Sequence, residues 1–248
     1  MFGEVMNSNK LIVALDVETA DKARELVSAL SGIAGMFKIG SQLFTAAGPD
    51  LVREIVRAGY GVFLDLKFHD IPNTVAAAGV EATRLGVSIF NVHAAGGSEM
   101  MKRTVDAVNQ CVEAEGLSRP KVIAVTVLTS ANDMVLEEVG YGLQTAELVP
   151  RLALMAEAQG LDGVVASPQE IELIRSVVSR PGFIVVTPGV RPKGSDRGDQ
   201  ARVMSPAEAM GAGADYLVVG RPILSAADPA QAAAEILREM SISSANTA

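Results

Sequence analysis

The sequence predicts an α/β fold, a single (β/α)8 TIM barrel. Three observations predict it. Short apolar runs alternate with longer amphipathic stretches about eight times, as parallel strands with helical crossovers require. Glycines mark the returns from helix to strand, and charged residues collect where strands end. A chain of 248 residues suits one such barrel, because α/β barrels commonly reach about 250 residues without dividing.

The strand candidates begin near Leu11, Met36, Val62, Ser88, Val122, Gly163, Phe183 and Tyr216. Helical stretches follow at 20–30, 50–58, 74–85, 98–115, 145–158, 169–178, 206–212 and 229–240. Ser167-Pro168 and Ser205-Pro206 each place an N-cap hydroxyl before a proline suited to the first helical turn. Gly59, Gly86, Gly160 and Gly213 lie where a helix C-cap calls for a left-handed residue. Residues 1–9 and 241–248 lack periodic patterning and read as loosely ordered termini of one catalytic domain, 1–248. The longest irregular stretch, 188–202, follows the seventh strand and carries Arg191, Lys193, Arg197 and Gln200. Its length and charge read as a ligand-binding loop that closes.

Composition narrows the function. Hydrophobic residues make up 49% and charged residues 20%, ordinary for a globular enzyme. A formal net charge of −8 argues against nucleic acid or an anionic membrane as partner, so an anionic ligand must meet locally placed cations. The longest early apolar run, Leu11–Leu15, is far too short to span a bilayer, and no basic segment precedes a secretory-type apolar stretch. A lone Cys111 within a helical stretch reads as a buried apolar thiol. The reading is a cytoplasmic protein.

In parallel βα barrels the active site lies at the C-terminal ends of the strands. Asp16 closes the first strand, Lys38 lies near the end of the second, Asp65 and Lys67 close the third, and Gly220-Arg221 follow the eighth. Side chains alternate along a strand, so Asp65 and Lys67 share a face opposite to Leu64, Leu66 and Phe68. With Leu and Phe turned toward the helices, the acid and the base point into the barrel mouth. Unpaired burial of charge there is costly, so they pair, with Lys38 as an additional cation.

These residues resemble a known family. Asp65–Thr74 reads DLKFHDIPNT, similar to the signature of orotidine 5′-phosphate decarboxylases. The likeness continues through Leu15-Asp16, Phe37-Lys38-Ile39-Gly40, Asn91-Val92-His93-Ala94, Val125–Ser130, Thr187–Arg191 and Val219–Ile223, nearly the whole chain. The resemblance implies a cofactor-free lyase, with no metal and no organic cofactor, that converts orotidine 5′-phosphate to uridine 5′-phosphate and CO2. Lys67 would protonate C6, Asp65 would lie beside the departing carboxylate, and Lys38, Asp65, Lys67 and Asp70 would form a charged tetrad. Asp70, Ile71 and Thr74 would reach the neighbouring site of a homodimer. Asp16 and Lys38 would hold the ribose hydroxyls, Thr126 the pyrimidine edge, and Arg191, Gln200, Gly220 and Arg221 the phosphate.

The residues also admit other readings. Metal-dependent sugar-phosphate lyases share the Asp-x-Lys-x-x-Asp core, and a barrel that only binds a phosphorylated ligand is a third class. Phe68-His69 and Ile71–Thr74 favour the orotidylate pattern over the first. Two carboxylates near an anionic ligand argue against the second. His69 reads as structural, and His93 as a strand-end residue with no chemical role assigned.

Overall fold

The computed structural model describes residues 10–192 and 204–244, with side chains described as far as Ser241. Its strands are β1 (Leu11–Ala14), β2 (Met36–Gly40), β3 (Gly61–Phe68), β4 (Ile89–His93), β5 (Lys121–Val125), β6 (Gly163–Val165), β7 (Ile184–Pro188) and β8 (Tyr216–Val219). All pair in parallel and in sequence order, and β1 pairs with β8 to close the barrel. Closure leaves no unpaired sheet edge.

The alternation of side chains divides the apolar interior in two. Ile12, Met36, Phe63, Ile89, Ile123, Ile184, Val186 and Val218 point into the barrel and fill it. Their neighbours, including Val13, Phe37, Leu64, Phe90, Val122 and Leu217, point outward into the larger core between strands and helices. At the C-terminal end the inward column changes character. Met36 is followed two residues on by Lys38, Phe63 by Asp65, and Ile89 by Asn91.

The helices are α1 (Ala20–Ala29), α2 (Ser41–Arg57), α3 (Pro72–Arg84), α4 (Gly97–Glu115), α5 (Asp133–Glu138), α6 (Thr145–Ala158), α7 (Ile171–Val177), α8 (Pro206–Gly211), α9 (Arg221–Leu224) and α10 (Pro229–Ser244). Ser205 opens α8 with a capping box: its hydroxyl accepts from Glu208 N at 3.3 Å while its N–H donates to Glu208 Oε2 at 2.8 Å. At Ser167 the N–H donates to Glu170 Oε2 at 2.8 Å. The four glycines expected at helix ends all take positive φ. Cys111 is buried, as expected of an apolar thiol. Among the described residues no helix is long and apolar enough to cross a membrane.

Two helices are longer than the sequence pattern indicates. The α2 span is two helical segments joined at a kink: Gly48, with φ 68° and ψ −171°, is non-helical, so the helix expected from Asp50 is the second segment and a further one, from Ser41, precedes it. The final helix runs through Ser244, so 241–244 belong to it and not to a loose terminus. Residues 1–9 and 245–248, together with 193–203, lie outside the described residues.

Gly163 shows how tightly the barrel is drawn. A Cβ placed there would stand 2.1 Å from the carbonyl oxygen of Ile184, a backbone atom that cannot swing away. Gly163→Ala is therefore expected to destabilise the barrel by about 1–3 kcal/mol. At about 2–4 °C per kcal/mol for a domain of this size, thermal unfolding would detect the change; an unchanged Tm would show that β6 and β7 are less closely apposed.

Candidate active site

Where the inward column turns polar, four side chains form a line of alternating charge. Lys38 Nζ lies 2.9 Å from Asp16 Oδ1 and 3.4 Å from Asp65 Oδ2, and Lys67 Nζ lies 2.7 Å from Asp65 Oδ1. The two inner members are nearly sequestered, Lys38 and Asp65 each being 9% exposed. The outer two meet solvent: the side chain of Lys67 is 35% exposed and that of Asp16 58%. Two carboxylates and two ammonium groups leave the line with no formal net charge. Removing one partner from a buried ion pair typically costs about 3–5 kcal/mol, so each inner charge depends on the other.

Backbone geometry places these groups. Lys38 sits within β2, and Leu15 N donates to its carbonyl at 2.9 Å, drawing the end of β1 and Asp16 alongside. A Cβ on Gly40 would come within 3.1 Å of Lys38 Nζ, so the glycine leaves room for the ammonium. The end of β3 departs from a regular strand. Leu64 pairs with Phe90 but Phe68 pairs with Val92, so β3 carries two extra residues against β4. Within that bulge Lys67 has φ 53°, the one non-glycine residue with positive φ among the described residues. The left-handed conformation costs roughly 1–2 kcal/mol for a residue with a Cβ.

Asn91 accounts for how the bulge is held. Its Oδ1 accepts from Lys67 N at 2.8 Å and its Nδ2 donates to Asp65 Oδ1 at 2.7 Å, with the whole residue buried. Asn91 stands within one of the family-like motifs, with no role expected from sequence. Its signal was its parity: it follows inward-facing Ile89 by two residues, and a polar residue there needs partners.

The remaining expected residues take varied places. Gly220 adjoins the line, since a Cβ on it would lie 3.5 Å from Asp16 Oδ2. Thr126 is buried at the end of β5, its hydroxyl donating to Val165 O at 3.1 Å. Arg191 is held by its backbone, its N–H donating to Met204 O at 3.0 Å, while its guanidinium donates to Val190 O at 3.0 Å. Arg221 opens α9 directly after Gly220. Gln200 and most of the loop that carries it lie outside the described residues.

Asp70 and Ile71 lie on the turn between β3 and α3, and Thr74 lies in the first turn of α3. Asp70 Oδ1 accepts from Ile71 N at 2.6 Å, and among the described residues Asp70 has no ion pair. Ile71 is 66% exposed. Lys67, His69, Asp70 and Thr74 line a cavity of about 320 Å³. His69 thus stands on a cavity wall, its ring centroid 5.3 Å from that of His93. Among the described residues no three His, Cys, Asp or Glu side chains converge as a metal-binding group.

The family model described as orotidine 5′-phosphate decarboxylase / HUMPS family matches residues 9–236. The chain belongs to that family. It is 53% identical over 231 residues to the orotidine 5′-phosphate decarboxylase of Geotalea daltonii, covering 93% of this chain and 95% of the relative. The protein of the same name from Moorella thermoacetica is 55% identical over 235 residues, covering 94% and 92%. Among solved structures, the orotidine 5′-phosphate decarboxylase of Lactobacillus acidophilus superimposes with a TM-score of 0.83 at 39% identity, over 94% of this chain and 99% of that one. A fold expected from strand-end charges and glycine spacing is thus the fold of this family.

His93 gives the site a pH signature. Burial, and then the nearby positive charge of His69 and Lys67, hold its imidazole below the usual 6.5, with Asp65 acting in the opposite direction. A depressed value means the unfolded chain takes up this proton more readily than the folded one. Its stabilising contribution is present above 6.5 and is lost as pH falls below it. Urea unfolding between about pH 7 and about pH 5.5 should show stability falling, and His93→Asn should flatten that slope. The same slope in both proteins would contradict the assignment.

Proposed function

We propose that this chain decarboxylates orotidine 5′-phosphate to uridine 5′-phosphate and CO2 without a cofactor, Lys67 supplying the proton. The observation that carries this reading is the Asp16–Lys38–Asp65–Lys67 line at the C-terminal mouth of the barrel. Family membership and the activity named for relatives more than half identical support it.

In this reading the substrate carboxylate lies beside Asp65. The C6–carboxylate bond breaks, CO2 departs, and the electron pair stays on C6. The ammonium of Lys67 stabilises that charge and then transfers its proton to C6; the amine regains a proton from water, which its exposure permits. An ammonium about 4 Å from a developing charge in a partly shielded mouth contributes about 4 kcal/mol, roughly a thousand-fold in rate. Asp65 fixes the position of that ammonium in advance, so little reorganisation accompanies reaction. Departure of CO2 moves the negative charge from the carboxylate beside Asp65 to C6, which Lys67 faces.

Lys38 and Asp16 are suited to the ribose hydroxyls, one as donor and one as acceptor, and Thr126 to the pyrimidine edge. Arg191 and Gly220-Arg221 follow β7 and β8, where barrels of this kind commonly bind phosphate; Gln200 is assigned to the same group. Remote phosphate binding then contributes to the barrier at C6.

We assign Asp70, Ile71 and Thr74 to the neighbouring site of a homodimer. The exposure of all three, Ile71 at 66%, supports this. A single catalytic domain and a cytoplasmic location complete the reading, consistent with the free, buried Cys111.

The test is an absorbance assay of orotidine 5′-phosphate with chelator present. Native protein should turn over, while Lys67→Ala and Asp70→Ala should each lose nearly all activity. Co-expression of the two variants should restore roughly a quarter of native activity, because random pairing makes half the dimers mixed, each with one complete site of two. Activity in Lys67→Ala, or its loss to chelator in native protein, would overturn the mechanism. No recovery on co-expression would overturn the shared site.

A further inference from the structure

Lys67 is the proposed proton donor, yet its placement is not a property of β3 alone. Its backbone is left-handed inside a two-residue bulge, and its N–H has left the strand ladder. A buried N–H without a partner is costly, and so is a buried carboxylate short of donors. One fully buried side chain answers both needs: Asn91 accepts from Lys67 N at 2.8 Å and donates to Asp65 Oδ1 at 2.7 Å.

We propose that Asn91 is a positioning residue for catalysis, clamping the Asp65–Lys67 pair by bridging the backbone of the donor lysine and the carboxylate that directs its ammonium. This inference rests on the functional reading above. The chemistry of the bridge selects an amide. A carboxylate could accept from Lys67 N, but its second oxygen would face Asp65 with like charge where a donor is needed. An apolar side chain of the same size would satisfy neither group. The amide orientation follows from its partners, since the Lys67 amide requires an acceptor and the Asp65 carboxylate a donor.

Asn91 is two residues further along β4 than Ile89, which packs inside the barrel, and the residue after it, Val92, belongs to the outer core. The side chain is thus anchored between rigid layers, a firmer support than the turn that follows β3. Asn91 also sits below the solvent-facing end of Lys67, so its effect reaches substrate through the pair and not by contact.

Three measurements test the proposal on the intact protein. Asn91→Asp keeps the size and the acceptor and removes the donor; Asn91→Ala removes both. For each, kcat with orotidine 5′-phosphate should fall on the order of 100-fold, the scale expected when a reacting group is displaced by about 1 Å. Affinity for uridine 5′-phosphate should change less than about three-fold, because the ribose and phosphate contacts remain; a merely structural defect would instead lower binding stoichiometry and activity together. In native protein the Lys67 backbone amide should be protected from hydrogen exchange as strongly as the β3 ladder, a readout that does not depend on a variant folding. Variants that stay within about three-fold of native kcat, or a Lys67 amide exchanging at the rate of an open loop, would overturn the proposal. Native protein that turns over the substrate while the variants also do so rejects Asn91 alone; native protein without turnover rejects the functional reading itself.

Discussion

Asp65 is a carboxylate withdrawn almost wholly from water, and three donors converge on it. Lys67 and Asn91 meet one oxygen and Lys38 approaches the other. Desolvating an ionised carboxylate is expensive, and the ammonium groups that flank Asp65 on both sides offset that cost. Each ammonium is in turn placed by Asp65. The consequence is mutual: a lysine directed at substrate is fixed by an acid that is itself stable only because lysines surround it.

The barrel makes that arrangement possible by ending its apolar filling at the right level. Below lie Met36, Phe63 and Ile89, packed as an ordinary core. Two residues further along the same strands, the same inward direction delivers Lys38, Asp65 and Asn91. Strand pairing fixes their relative heights, with Gly40 opposite Asp65 in the β2–β3 register. Because these positions are set by hydrogen-bonded strands and not by loops, the charges are held before any ligand arrives.

Much of this was legible in the sequence, for identifiable reasons. Inward and outward alternation marks the strands, and the rule that barrel chemistry gathers at strand ends picks out Asp16, Lys38, Asp65 and Lys67, which the structure brings together. Asp65 and Lys67 do meet, though through a bulge and not through a straight strand. That bulge was hidden because it depends on β4: nothing local to β3 announces a left-handed lysine, and its partner Asn91 lies 24 residues away in sequence. Gly48-Pro49 does break the α2 span, and the segment before it, from Ser41, is too short to show a clear helical period. The short α5 and α9 are too brief to show a helical period.

The same hub divides the motif 65–70 by function. Asp65 and Lys67 turn into one mouth, while Asp70 accepts from the backbone N–H of Ile71 on the turn that follows β3. If Asp65 organises the site by charge, then an isosteric neutral group cannot replace it. The measurement that tests this most directly is kcat for orotidine 5′-phosphate with Asp65→Asn, alongside near-ultraviolet circular dichroism to report the fold. The account predicts a folded barrel whose turnover has fallen by at least about 100-fold, the scale of losing one preorganised electrostatic contact. A folded variant that retains native turnover would contradict it.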